Sequence, residues 1–229
     1  MFRPISYSFI SIFYVALCLV FFSTITAFSQ DLPKKRAVYH PQRKAYIKYK
    51  TNTFSIIYDT LMKVPMCATY KLYKGGGDCS RKSFYFKKAP FSATSKDYAT
   101  TGYDQGHLVN AEDFAYSCTE EAKTFTYYNC SPQTPQLNRG IWKVKENSTR
   151  TQSQYDSLNV IVGCLIMKKH KTIGKGVAVP EYYYRIVQSL TTKKIVSCVL
   201  FTNTNRPTLQ YVTYEQLDYL IPFVLPLVR

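Results

Sequence analysis

The stretch YDQGHL, Tyr103–Leu108, sets His107 directly after Gly106 and just behind an acid and an amide. It is one of only three histidines in 229 residues. An imidazole of ordinary pKa is suited to take a proton from water near neutral pH, and a preceding glycine lets backbone or substrate come close. Downstream, Asn138, Trp142, Glu146 and Arg150 recur every four residues. On one helix, Asn138 and Glu146 would be offset by about 80° and address the same cleft edge. Together these types meet the needs of phosphodiester hydrolysis: a base for water, positive charge on the phosphoryl oxygens, and help for the leaving oxygen. The histidine supplies the first and a bound divalent cation the other two. Mg²⁺ needs only one or two protein oxygens, and an asparagine carbonyl is a sufficient anchor. Arg150, one further turn along, can meet a phosphate.

Each of these residues also has an ordinary structural use. An asparagine at a helix start is a cap, Glu146 and Arg150 form an i, i+4 pair, and Trp142 suits a core. Spacing alone reaches no further than a basic, exported α+β protein that acts on polyanions.

The elements that must position these residues follow from the apolar pattern. Residues 53–58 and 67–73 read as strands joined by a turn around Lys63-Val64-Pro65. Residues 84–91 (FYFKKAPF) are aromatic but end at a proline, an irregular strand or loop. A helix is expected after Leu137. The continuous apolar run 158–167 reads as a buried strand, residues 182–188 and 195–202 as further strands, and 215–220 as a short helix. Strands, then a helix, then strands, with few βαβ alternations, is an α+β order. The C-terminal YLIPFVLPLVR is apolar but short and twice broken by proline.

The composition is globular, with 46% hydrophobic residues and 21 tyrosines. The net charge of +16 attracts polyanions such as nucleic acid, anionic glycans or anionic lipid. Residues 5–28 carry no charge, and Ala27-Phe28-Ser29 has a small-x-small pattern. Residues 1–29 therefore read as a signal peptide, which makes the protein secreted or periplasmic with no stable membrane association after cleavage. The opposing reading keeps 5–28 as an anchor on a basic membrane- or glycan-bound protein, with the basic run after it held in the cytoplasm. Residues 30–52 form a basic, extended lead-in, and 53–229 the domain. Six cysteines remain after the leader: Cys67, Cys79, Cys118, Cys130, Cys164 and Cys198. An exported chain would oxidise them. Sequence neighbours (Cys67–Cys79, Cys118–Cys130, Cys164–Cys198) are the first of fifteen pairings to expect.

Taken together, the blocks carry a family likeness. Tyr103-Asp104-Gln105-Gly106-His107-Leu108 resembles the Asp-Arg-Gly-His box of the DNA/RNA non-specific endonucleases, the ββα-metal (His-Me finger) family. Thr124-Phe125, Asn129, Pro132-Gln133, Asn138-Arg139-Gly140, Trp142 and Glu146 resemble its second block. Ile57-Tyr58-Asp59 with Lys63-Val64-Pro65, and later Val162-Gly163, Thr172-Ile173-Gly174 and Val177–Pro180, extend the likeness over roughly residues 53–220.

The resemblance implies an α+β fold, a central antiparallel sheet with the metal-site helix packed against it. It implies an exported endonuclease that hydrolyses phosphodiesters of DNA and RNA with little sequence preference. His107 would be the general base. Asn138 would bind Mg²⁺, with Mn²⁺ as a substitute, and Glu146 would act on the metal through water. Asn129 and Gln133 would order the site around the metal helix, Asn129 counting with His107, Glu146 and Arg150 among the catalytic residues. Arg150, Arg81, Arg139 and Gln105 would meet substrate, and Asp104 would fix the histidine loop. One position departs: Gln105 stands where the family carries arginine, and glutamine offers no charge to a phosphate. The alternative is a catalytically weak exported nucleic-acid-binding protein of the same fold.

Overall fold

The structure, a computed structural model, describes residues 32–37 and 45–228. Apart from Leu32 these belong to one compact unit, Pro33–Arg229. The stretch 1–29, read as a leader or an anchor, lies outside the described residues, as does part of the lead-in. The strands are β1 (Tyr46–Lys50), β2 (Phe54–Asp59), β3 (Val64–Leu72), β4 (Asp104–His107), β5 (Cys130–Gln133), β6 (Leu158–Leu165), β7 (Lys171–Ile173), β8 (Val177–Val179), β9 (Tyr182–Ser189), β10 (Ile195–Thr202) and β11 (Leu209–Tyr211). The helices are α1 (Ser95–Tyr98), α2 (Cys118–Thr124), α3 (Lys143–Gln152) and α4 (Tyr214–Leu220). Seven strands pair antiparallel in the order β1-β2-β3-β6-β9-β10-β11. The expected α+β class with a central antiparallel sheet is what the chain adopts.

β6 reads LNVIVGCL and every residue in it is buried, as a central strand covered on both faces requires. Its core face, Leu158, Val160, Val162 and Cys164, joins residues of β2, β3, β9 and β10 in one apolar cluster. Leu108, Val109, Phe114, Leu137 and Trp142 enter the same cluster from the segment between β3 and β6. That inserted segment carries the candidate site, so the core and the site share a foundation. The strand β1 falls within the stretch read as a basic, extended lead-in outside the domain; its half-buried or exposed, basic and aromatic residues pair with β2 as a sheet edge.

The expected helix after Leu137 is broken. Leu137–Trp142 is a wide, π-type segment with Gly140 outside helical space (φ −102°, ψ −118°), and regular helix begins only at Lys143. The simple four-residue period therefore does not run unbroken from Asn138 to Arg150. Trp142 fixes the joint: it is 1% exposed and its ring packs 5.5 Å from Tyr183 on β9 and 5.1 Å from Phe201 on β10. Beyond Trp142 the inward face of α3 is polar, with Glu146 and Thr149 as its buried residues.

The cysteine pairing expected from sequence order is overturned. Cys79 bonds Cys118, while Cys67, Cys130, Cys164 and Cys198 are buried thiols. Cys67, Cys130, Cys164 and Cys198 each lie on a different strand, where they act as small apolar residues. Among the described residues no helix is long and apolar enough to cross a membrane.

Candidate active site

β4 and β5 pair antiparallel, Asp104 opposite Gln133 and His107 opposite Cys130. The chain then enters the broken helix, which gives a strand–strand–helix unit. Gly106 is required at the pairing: a Cβ there would sit 2.1 Å from Gln133 Oε1. The loop after His107 is clamped by Asn129. Its Oδ1 accepts from Val109 N (2.8 Å), and its Nδ2 donates to Val109 O (2.9 Å) and Thr124 O (3.0 Å). Asn129 is fully buried and wholly engaged by backbone, so it supports the histidine loop and does not face the cleft.

One cleft of about 610 Å³ is lined by His107, Asn138, Glu146, Arg150, Arg81 and Arg139, with Gln105, Asn110, Ala111, Glu112, Phe125, Lys143 and Asn147 completing it. Of the eight residues expected to act in catalysis or on substrate or metal, seven thus meet there, Asn129 being the exception; Asp104 and Gln133, expected to order the site, do not line the cleft. Arg81 comes from a short turn, Arg81–Ser83, which the disulfide at Cys79 ties to α2 at Cys118.

His107 stacks on Phe86 at 4.4 Å and meets the edge of Phe125 at 4.7 Å. The residue as a whole is partly exposed, yet its Nε2 is shut from solvent with no hydrogen-bond partner. Desolvation first, then the nearby Arg81 charge, holds its pKa down to about 3. Both effects disfavour the imidazolium, so the ring is neutral at neutral pH, and the same effects weaken it as a base until the charges around it change.

Asp104 organises the metal-side residues. Its Oδ2 accepts from Asn138 Nδ2 (2.9 Å) and Arg139 Nε (2.8 Å), and its Oδ1 from Arg139 Nη2 (2.7 Å). Burial works to raise the Asp104 pKa, but these donors outweigh it and hold the carboxyl below its usual value. With its amide nitrogen spent on Asp104, Asn138 keeps Oδ1 as a hard oxygen donor for the cleft. Arg139, an expected substrate contact, is exposed and forms a bidentate pair with Asp104.

Beneath the cleft lies a charged network that sequence reasoning missed. Asp113, fully buried, accepts from Tyr70 Oη at 2.7 Å and pairs with Arg150 Nε at 3.1 Å. Arg185, also fully buried, meets Asp113 Oδ2 at 3.9 Å and donates to Tyr70 Oη at 3.0 Å. Arg150 donates further to Asn147 Oδ1 (2.9 Å) and Asn110 Oδ1 (3.0 Å). Its ion pair is therefore with Asp113 and not with its helix neighbour Glu146. Glu146 is 7% exposed. Burial drives its pKa up to about 7, against the pull of Arg185, an Asn110 hydrogen bond and Arg150. Asn110 had one available signal, its place three residues after His107. Asp113 and Arg185 had none, because a buried charge inside an apolar pattern looks like an exposed one.

The donor set suits a hard, hydrated cation. Asn138 Oδ1 and the Glu146 carboxylate are oxygen donors. Among the described residues no cluster of three His, Cys, Asp or Glu side chains forms a cage, so an ion held here would complete its shell with water and substrate phosphate.

A family model described as "DNA/RNA non-specific endonuclease" matches residues 36–219. "Endonuclease G, mitochondrial" of Homo sapiens is 27% identical over 163 residues, 64% of this chain and 54% of that protein. "Nuclease EXOG, mitochondrial" of Homo sapiens is 28% identical over 152 residues, 58% of this chain and 41% of that protein. The chain spans about half the length of the curated relatives it matches. A solved structure of an EndoG/EndoGI complex superposes with a TM-score of 0.65 at 23% identity, covering 76% of this chain and 82% of that one. It is a likeness of fold. The expectation of a secreted or periplasmic protein is overturned: these relatives are named as mitochondrial proteins.

Proposed function

The chain belongs to the DNA/RNA non-specific endonuclease family, and from that premise we propose that it hydrolyses phosphodiester bonds in DNA and RNA with little sequence preference. One observation carries this reading: His107, Asn138 and Glu146 line the same cleft as Arg81 and Arg150. His107 takes a proton from the attacking water. The water oxygen then bonds to phosphorus as the bond to the leaving oxygen breaks. Asn138 Oδ1, oriented by Asp104, would hold Mg²⁺, and Glu146, which lines the same cleft, would meet the ion through water. The cation would supply charge to the phosphoryl oxygens and to the leaving oxygen. Arg81 and Arg150 hold phosphate, and Lys143 adds charge at the rim. Backbone contact of this kind reads charge and not bases, which fits an excess of 16 positive charges.

The test uses supercoiled plasmid and total RNA, with Mg²⁺ or EDTA, beside His107→Ala. Cleavage of both substrates that disappears with EDTA and in the variant is the expected result. Binding without cleavage in every lane would favour the second reading, a catalytically weak nucleic-acid binder. Gln105 in place of the family arginine is the observation that supports that reading.

A further inference from the structure

The aromatic segment FYFKKAPF, Phe84–Phe91, builds a second groove against the cleft. Its backbone is pinned to the strand-like chain beside it: Lys87 N donates to Phe125 O (2.9 Å) and Tyr127 N to Lys87 O (3.1 Å). Tyr128 Oη donates to Pro90 O at 2.9 Å. Phe84 lies 5.4 Å from Phe125, Phe125 lies 5.6 Å from Phe86, and Phe86 stacks on His107. A ladder of rings therefore leads from the catalytic histidine outward. At its outer end is a groove of about 770 Å³ walled by Tyr49, Phe84, Phe125 and Tyr128, within the range of ordinary ligand sites (~300–1,000 Å³). Phe125 lines both this groove and the cleft.

The rim is basic. Lys87 and Lys88 are exposed, whereas Lys123 is already paired with Glu120. Lys88 also lines a third depression, which holds Lys63, Lys96 and Lys175. Cleft, ring-lined groove and lysine-lined depression thus adjoin in series. Tyr49 and Phe84 are half-buried over a floor of buried Phe125 and Tyr128, and such ring surface with positive charge at the edge is the chemistry of an unpaired nucleic-acid strand: bases stack on the accessible rings while phosphates meet the lysines. An acidic peptide would use the lysines and leave the rings unused, and a duplex keeps its base faces stacked on one another.

We propose that the groove of Tyr49, Phe84, Phe125 and Tyr128, rimmed by Lys87 and Lys88, binds the unpaired nucleotides that flank the phosphate in the cleft. It rests on the nucleic-acid reading above and adds a subsite that favours single strands.

The test titrates the full chain with labelled oligothymidylate and, separately, with a blunt DNA duplex, in EDTA so that binding is read without cleavage. Lys87→Ala with Lys88→Ala should weaken single-strand binding roughly tenfold and lower the log–log salt slope by about 1.4, from ~0.7 per lost phosphate contact. Phe84→Leu should weaken it on the order of tenfold with the slope unchanged. Duplex affinity should fall less in both. The lysines are exposed, so the double variant tests the idea even if Phe84→Leu perturbs folding. Equal losses for both nucleic acids, or no loss, would overturn the subsite. So would polyglutamate displacing oligothymidylate as well as unlabelled oligothymidylate does, since that assigns the groove to an acidic peptide. A parallel cleavage assay of the unaltered chain with Mg²⁺ judges the nuclease reading by itself: failure there leaves the binding result standing.

Discussion

Asn138 donates its side-chain amide to Asp104 across 2.9 Å, and that bond decides which end of the amide is left for a ligand. If Asn138 Oδ1 anchors the cation, Asp104→Ala should raise the Mg²⁺ concentration needed for half-maximal cleavage by about 10–100-fold, the usual cost of losing a group that orients a ligand. Arg139→Ala removes only the exposed partner of Asp104 and should shift it by far less. A Mg²⁺ titration of cleavage rates for both variants checks the order. Equal shifts would mean that Asp104 acts through Arg139.

His107→Ala should lower kcat by about 10²–10⁴-fold and leave DNA binding in EDTA close to that of the unaltered chain. The pH profile follows from the lowered pKa. Desolvation and Arg81 keep the ring neutral well below 6.5, and a bound cation pushes the same way. The acid limb of kcat/KM should therefore lie below pH 6.5. Stability takes the matching sign: between 6.5 and about 3 the unfolded chain binds the proton and the folded one does not. The His107 contribution is present above 6.5 and is lost as pH falls through that window. Melting curves of wild type and His107→Ala should converge toward acid; parallel curves would exclude this linkage.

Glu146 carries the opposite sign. Its pKa rises from 4.5 to about 7 through burial, so its contribution is complete below 4.5 and is lost as pH rises through 7. Without metal, Glu146→Gln should match wild-type melting at pH 5 and exceed it at pH 8, while cleavage is lost. Identical pH dependence in both proteins would show that Glu146 does not titrate in this window.

Arg150 is expected to be structural as well as functional. Its Nε lies 3.1 Å from a carboxylate that is fully buried. Removing one member of such a pair costs about 3–5 kcal/mol because the other charge stays buried; Arg185 and Tyr70 remain to offset part of it. Arg150→Ala should lose about 3 kcal/mol, a fall in Tm on the order of 10 °C. Arg150→Lys should recover charge but not the three-way contact to Asp113, Asn110 and Asn147. Calorimetry alongside KM separates the two roles: an unchanged Tm with raised KM would make Arg150 a substrate contact only.

The strands were legible because burial on both faces writes a continuous apolar run, as in β6, and the chemistry of His107 and Asn138 was legible because its residue types are few. The edge strand β1 was not, since an exposed edge needs no apolar alternation. Nor was the break at Gly140, because a four-residue recurrence through Asn138, Trp142 and Glu146 looks the same whether the helix is regular or widened. Asp113 and Arg185 stayed hidden for a different reason. Their burial depends on Tyr70, far away in sequence, and composition cannot distinguish a charge in solvent from one compensated in a core. Cysteine pairing is likewise set by which backbones meet, so sequence order misassigned it.

The Cys79–Cys118 bond closes a loop with a sequence separation of 39 and anchors the turn that presents Arg81. Chain-entropy reasoning gives about 4 kcal/mol for a loop of that length. Cys79→Ala with Cys118→Ala should lower stability by that order and raise KM, since the Arg81 turn loses its tether, with kcat little changed. Denaturant melts and steady-state kinetics read the two effects separately. A stability loss with unchanged KM would mean that the turn holds Arg81 without the bond.

Gln105 provides the sharpest test of catalytic strength. It lines the cleft and accepts from Tyr127 Oη at 3.1 Å, a neutral contact where the family carries a cation. Gln105→Arg forfeits that hydrogen bond, worth about 1 kcal/mol, and adds one charge able to meet phosphate. If the reading of an active nuclease is right, the variant should lower KM severalfold and steepen the salt dependence on duplex DNA by about 0.9 in log–log slope, while kcat changes little. If the natural chain only captures nucleic acid, the same substitution should instead bring out cleavage from a baseline near zero. A KM and salt slope that do not move would show that Gln105 stands outside the path of the phosphate.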